Sequence, residues 1–454
     1  MSQDPGSQVR VDLLGTVEVL HEHLTESLCE EVFEAERDVE RRRLWTLAHL
    51  GRFWTAVVLR APPSLRQALS EAAGGTGAYP HVASSPQAFF RRCQDLRPDF
   101  FAGLLAAFLR RVRDAEPGRY AGGHAAVLDR FAGAVAIDGS QLDAVARRLK
   151  ICWRDRRVPL PGSLLAVYDL RRGMLAHLGV SARAGAGELP RAPQALAGIA
   201  AGTLVLGDRA YGVPKFFAIL ADARLHGLCR RGARVLCREV ERISETRWEG
   251  GRLEDLRVEA GISRKTATQR LRLLRWTRGR RTLELLTDVA DTATMSAAEA
   301  MALYRERWKV ERLFHDLKEV LDLHSFYGAN HNVVAMQVYA TALVHTAMRV
   351  AQSRIAAAAR VAPEDLSPAK LFPRIAAASA ALTWAELGFQ ETRRANPGAR
   401  LTKPDWRTMP FASAPLTCLL VEQRSEKRKV RRFCASRGRW RALPPGRRKS
   451  RRLS

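Results

Sequence analysis

The chain has 454 residues, 46% of them apolar, enough for two to four domains and at least one sizeable core. Lys and Arg exceed Asp and Glu by 74 − 47 = +27, with a sequence pI near 10.8. A charge that large favours polyanionic partners, nucleic acid first and an acidic membrane surface second. The seven cysteines are scattered without a CxxC pair, which points away from a zinc site or disulfide framework and towards a reducing compartment. The opening MSQDPGSQVR lacks an apolar signal segment, and the longest charge-free stretch, Leu323 to Met348, carries too many His, Asn, Gln and Thr residues to span a bilayer comfortably. The expectation is a soluble cytoplasmic protein with no membrane partner.

Residues from about 10 to 115 read as helices. LCEEVFEAERDVERRRLWTLAHLGRFWTAVVL and FFAGLLAAFLRRVRD place apolar residues at helical spacing, punctuated by Pro62-Pro63 and the glycine pairs at 74–75 and 122–123. At Phe131 the texture changes. AVAIDGS is a short apolar run ending in an acid, as a buried strand would, and LLAVYDLRRGMLAHLGV reads as a hairpin turning around Leu170–Gly173. TLVLGDRAYG is a second buried strand ending in an acid, VPKFFAILADARLHG a helix, and a further strand is expected around Ala233 to Arg238. This order predicts an α/β ribonuclease-H-like core.

Residues about 226 to 290 form a basic, β-leaning insert in which LRLLRW and TLELLT flank a hairpin turn. Ser296 and Glu299 then make a capping box that opens a helix expected to run to about Leu323. Past Asn332 the chain is Ala-rich helix, followed by a tail, 424–454, with fourteen Lys or Arg against one acid. That tail fits a solvated disordered segment and a DNA contact equally. Three regions are expected: a helical N-terminal region (1–130) reading DNA ends, a catalytic core (131–330) and a helical C-terminal region (331–454) suited to dimerisation.

Chemistry concentrates in three acids. Asp138 and Asp208 sit at strand ends, where α/β sheets place their sites, although an Asp at a strand end also serves as a turn residue. The third, Glu311, lies in YRERWKVERLFHDLK, where Tyr304, Arg307, Glu311 and Lys318 fall within an arc of roughly 60° on a helix turning about 100° per residue. Leu303, Val310, Leu313, Phe314, Leu317, Val320 and Leu321 form the apolar face of that helix, and Arg305, Lys309, Arg312, Asp316 and Glu319 its solvent face. The four stripe residues run along the border between them. Arg307 and Glu311 alone would be an ordinary i,i+4 pair, but that leaves Tyr304 and Lys318 unexplained. Three carboxylates suit two Mg²⁺ ions, hard cations that activate the attacking oxygen and stabilise the leaving one in phosphodiester displacement. No histidine shows a ligand spacing; His315 lies near the stripe.

AIDGS, LGDRAYG and the run Met295–Tyr327, with tyrosine, arginine, glutamate and lysine at the spacing of the YREK signature, resemble the catalytic core of DDE transposases of the insertion-sequence-four family. The resemblance covers roughly 131–330. It implies that Asp138, Asp208 and Glu311 are catalytic metal ligands for Mg²⁺, with Mn²⁺ as a substitute, and that Tyr304, Arg307 and Lys318 grip DNA phosphates. It implies cut-and-paste transposition, with inverted-repeat ends and target DNA as partners and a homodimer bridging two ends. The 311 − 208 = 103 residues between the last two acids leave room for the family's β insert.

Some members hold a flipped base with a Trp on the strand before the catalytic helix. Here that strand, RTLELLT, has no aromatic, leaving Trp276 or Trp248 as substitutes or as structural residues. Arg209 is a further phosphate-contact candidate. A metal-dependent nuclease that cuts without joining is a competing expectation. A non-catalytic DNA-binding relative is another, and would be marked by a lost acid.

Overall fold

The computed structural model describes residues 10–75, 79–116, 124–141, 163–181, 187–261, 269–323, 326–328, 330–395 and 405–421; the basic tail expected at 424–454 lies outside them. In the N-terminal region Thr25, Thr46, Ser64 and Ser85 each cap a helix by accepting from the backbone N–H three residues on. The helices that follow them (Glu26–Glu36, Leu47–Arg60, Leu65–Gly74 and Pro86–Asp95), with Asp99–Ala115, bury Phe53, Trp54, Phe89, Phe100, Phe101 and Phe108.

A nine-stranded mixed sheet forms the centre. Its strands are β2 (Gly133–Gln141), β3 (Ser163–Asp169), β4 (Met174–Ser181), β5 (Thr203–Gly207), β6 (His226–Arg230), β7 (Leu236–Trp248), β8 (Gly251–Gly261), β9 (Gln269–Arg278) and β10 (Arg281–Thr287). Their order across the sheet is β4-β3-β2-β5-β6-β10-β9-β8-β7. β2, β3 and β4 are antiparallel, β2, β5 and β6 run parallel, and β10 returns antiparallel to β6. The β3–β4 hairpin turns where expected. Gly173 takes φ +68°, and the Asp169 carboxylate accepts from the backbone of Arg171 and Arg172, both at 2.9 Å.

The expected strand at Ala233–Arg238 is displaced. The helix stops at Asp222, and HGLCR, whose first two residues were read as the helix end, is β6, with Leu228 and Cys229 buried on opposite faces. A five-residue run with three buried positions carries no period long enough to separate strand from helix. The insert proper, β7 to β10, is an antiparallel meander that extends the same sheet. Arg272 fastens it: its guanidinium forms a bidentate pair with Asp255 (3.1 and 2.5 Å) and donates to the carbonyls of Val289 (2.9 Å) and Met295 (3.0 Å), all buried.

Side-chain alternation separates two apolar layers. Val135, Ile137, Val205 and Cys229 face the helices Glu188–Leu196 and Pro214–Asp222, while Ala134, Ala136, Leu204, Leu206 and Leu228 face the helical layer of Met301, Val310, Leu313 and Leu317. The helix His331–Ala359 lies in that second layer, against both the N-terminal helices and β4. Among the described residues it alone has the length and apolarity of a membrane span, and 94% of its most apolar window is buried inside the fold. The regions divided at 130 and 330 therefore share one core, and β1 (Arg10–Asp12) pairs with β11 (Ser413–Pro415).

Candidate active site

Strand parity decides which way the acids point. Ala134, Ala136 and Asp138 alternate on β2, as do Leu204, Leu206 and Asp208 along β5 and just past its end. Both acids thus leave the sheet on the face covered by the helix carrying Glu311. Ile137 pairs with Gly207 in the parallel ladder, so the next positions, Asp138 and Asp208, stand side by side at the carboxyl ends of adjacent strands. Asp208 accepts from the Ala210 N–H at 2.7 Å, which turns the chain sharply after the strand.

The capping box at Ser296 and Glu299 starts the signature segment as expected. The single helix predicted to Leu323 is instead composite: α-helix Ala297–Leu303, a 3-10 turn Tyr304–Arg307, α-helix Trp308–His315 and a π-turn Asp316–Val320. Such changes of pitch rotate the stripe without ending the helix. They also overturn one face assignment. Asp316, expected towards solvent, is 5% exposed and faces His345 (3.7 Å), its carboxyl held near pH 2 against burial by His315, His345 and Arg349.

The stripe meets the sheet edge. Arg307, 7% exposed, donates to Glu311 Oε1 at 2.7 Å and to Asp138 Oδ2 at 3.4 Å, bridging two of the three acids. Lys318 Nζ donates to Ser140 Oγ at 2.6 Å, two residues beyond Asp138 on the same face of β2. Tyr304 is buried beside the Arg307 guanidinium (5.9 Å to the ring centroid), and burial pushes its hydroxyl up to about 12, so it stays a neutral donor. Burial raises the Asp138 carboxyl to about 7; Arg307 opposes the rise, and Asp208 and Glu188 add to it. Buried acids crowded this closely call for positive charge, and Arg307 supplies one cation.

The donor chemistry suits a hard divalent cation: Asp138 and Asp208 end adjacent strands and Arg307 joins Asp138 to Glu311, so three carboxylates border one sheet edge, though their oxygens do not close to within 4.8 Å of one another. Among the described residues, the group of acid and His atoms that closes to within 4.8 Å is elsewhere, at Glu22, His23 and Glu116. Arg354 pairs with both of those glutamates, making that group a structural ion cluster.

The remaining candidates are placed as follows. Arg209 is exposed at the turn beside Asp208. Trp276 is half-buried, its Nε1 donating to the Trp248 carbonyl at 2.9 Å, and the two indoles meet edge to face, so Trp276 packs within the insert. His315 is exposed and pairs with Asp316 at 3.6 Å. Two residues at the site were not singled out from sequence. Trp308, 45% exposed, flanks Arg307 (5.3 Å), and Glu188 reaches the end of β2 from the opposite layer. The adjacency of Trp308 to Arg307 was readable; nothing in ELPRAPQAL marks Glu188.

Residues 151–347 match the family model described as the transposase DDE domain. A protein of Sinorhizobium fredii provisionally named a transposase is 36% identical over 70 residues, which cover 15% of this chain and 19% of that protein. The chain thus spans about a fifth of the relative's length. Both similarities are to transposases, the first to their DDE domain. A piggyBac transposase synaptic complex with hairpin DNA aligns over 88% of this chain and 86% of its own at 8% identity, with a TM-score of 0.38, too low to assign a fold.

Proposed function

We propose that this chain is a metal-dependent DNA transposase of the insertion-sequence-four type, cutting the ends of a mobile element and joining them to target DNA. The observation that carries the reading is the placement of Asp138 and Asp208 on adjacent parallel strands, facing a helix whose Arg307 joins Asp138 to Glu311. The strand order, three antiparallel strands followed by two parallel ones, supports a ribonuclease-H-like core. In this reading Asp138, Asp208 and Glu311 hold divalent ions, Mg²⁺ by preference with Mn²⁺ as a substitute. Bound there, such ions supply the charge that activates an attacking oxygen and stabilises a leaving one.

The chain's own cations do the positioning. Arg307 presents a planar fork able to take two phosphate oxygens, and Lys318 a point charge anchored two residues beyond Asp138. Tyr304 supplies a neutral hydroxyl donor at the same edge. Exposed Arg209 and Trp308 border the site and suit phosphate and base faces respectively. Double-stranded DNA is the partner that the +27 charge favours, with a homodimer holding two ends. The choice of DNA sequence falls to residues outside this phosphate-directed stripe. In a test with a DNA fragment carrying the element's own terminus, Glu311→Gln is expected to bind the end as the natural protein does and to lose Mg²⁺-dependent strand cleavage. Retained cleavage would remove Glu311 from the active site.

A further inference from the structure

Glu188 is the fourth carboxylate near the end of β2, and it arrives from the wrong side. The helix Glu188–Leu196 packs on the sheet face opposite the signature helix, burying Ala192, Ala195 and Leu196 against Val135, Ile137 and Val205. An acid in the first turn of a helix is ordinarily accounted for by the helix dipole and points to water. Glu188 instead leans over the strand end. A Cβ at Gly139 would lie 2.1 Å from its Oε1 and 2.4 Å from its Cδ, so the carboxylate occupies the space that a side chain at 139 would fill.

The absence of that side chain lets an acid from one layer lean over the strand end at the residue next to Asp138. Its field is felt by Asp138, it feels Asp208 in turn, and the buried Tyr211 ring stands beside it. The helix is held in this position by Arg191, which donates to Ser163 Oγ at 3.0 Å and to the Gly179 carbonyl at 2.8 Å. Those bonds commit the guanidinium to β3 and β4.

We propose that Glu188 is a fourth carboxylate of the metal centre, reaching the ions of Asp138, Asp208 and Glu311 through the gap left by Gly139. This rests on the active-site reading above. Mg²⁺ keeps part of its shell as water, so an added carboxylate serves by holding an ion directly or by orienting one of its waters. The side chain contributes charge and position and transfers no group.

The test measures metal binding without catalysis. Mn²⁺ binding to the full-length protein is followed by electron paramagnetic resonance, with melting temperature and DNA binding in EDTA as controls for folding. Glu188→Gln is expected to weaken binding of one ion by about 10- to 100-fold, the range seen when an outer partner of a metal ligand is lost, with the fold intact. Gly139→Ala is expected to do the same without removing any carboxylate from the sequence, because its Cβ displaces that of Glu188. If Glu188→Gln binds Mn²⁺ like the natural protein while Asp138→Asn and Glu311→Gln do not, Glu188 is no part of the centre and the proposal falls alone. If all three bind like the natural protein, the active-site reading falls with it. Should Gly139→Ala fail to fold, Glu188→Gln decides the question.

Discussion

Replacing Asp138 by Asn should make the metal-free protein more stable, and only at high pH. Burial lifts this carboxyl from the ordinary 3.8 to about 7, against the opposing pull of Arg307. A rise of about three units corresponds to about 4 kcal/mol favouring the protonated form in the fold. The sign follows from linkage: the folded state holds this proton more tightly than the unfolded chain does. The cost of ionising it in the fold is therefore absent below about pH 4, grows between pH 4 and 7, and is complete above pH 7.

Asn keeps an acceptor for the Gly139 N–H (2.9 Å) and carries no charge, while Arg307 retains Glu311 at 2.7 Å. Allowing for the weakened Arg307 contact, Asp138→Asn should gain about 1–3 kcal/mol at pH 8.5 and less than half of that at pH 5. Urea unfolding in EDTA at the two pH values measures this directly. Mg²⁺ should then stabilise the natural protein and leave the variant unmoved. Equal destabilisation by Asn at both pH values would refute the picture of a buried acid kept at a cost for its charge.

Arg307→Ala removes the guanidinium that bridges Asp138 and Glu311, and should cost about 2–3 kcal/mol in EDTA, discounted from the loss seen for fully buried pairs. Added Mn²⁺ should recover much of that loss in a melting experiment, whereas a purely structural Arg307 would show no recovery. Asp255→Ala strands the Arg272 guanidinium under the insert and should cost about 3–5 kcal/mol at any metal concentration, read from the urea midpoint.

The site was legible where it depends on strand ends and helical spacing. AVAIDGS and TLVLGDRAYG became neighbouring strands with their acids in register, and the capping box fixed the start of the signature segment. Spacing alone did not reveal changes of helical pitch. A helix plotted at a constant 100° per residue put Asp316 on the solvent face, whereas the helix carrying His345 packs over it and buries it. The first two residues of β6 were absorbed into a helix because a strand of five residues is too short for a distinguishing period. Glu188 was invisible for a different reason: its place beside Gly139 exists only once β2 and the helix after β4 are stacked.

The decisive measurement is anomalous diffraction from crystals of the protein with its terminal DNA and Mn²⁺. The account predicts manganese peaks bounded by the carboxylates of Asp138, Asp208 and Glu311, with Arg307 drawn off the acids onto a phosphate. Arg307 still bridging Asp138 and Glu311 at saturating Mn²⁺, with no peak beside them, would contradict it.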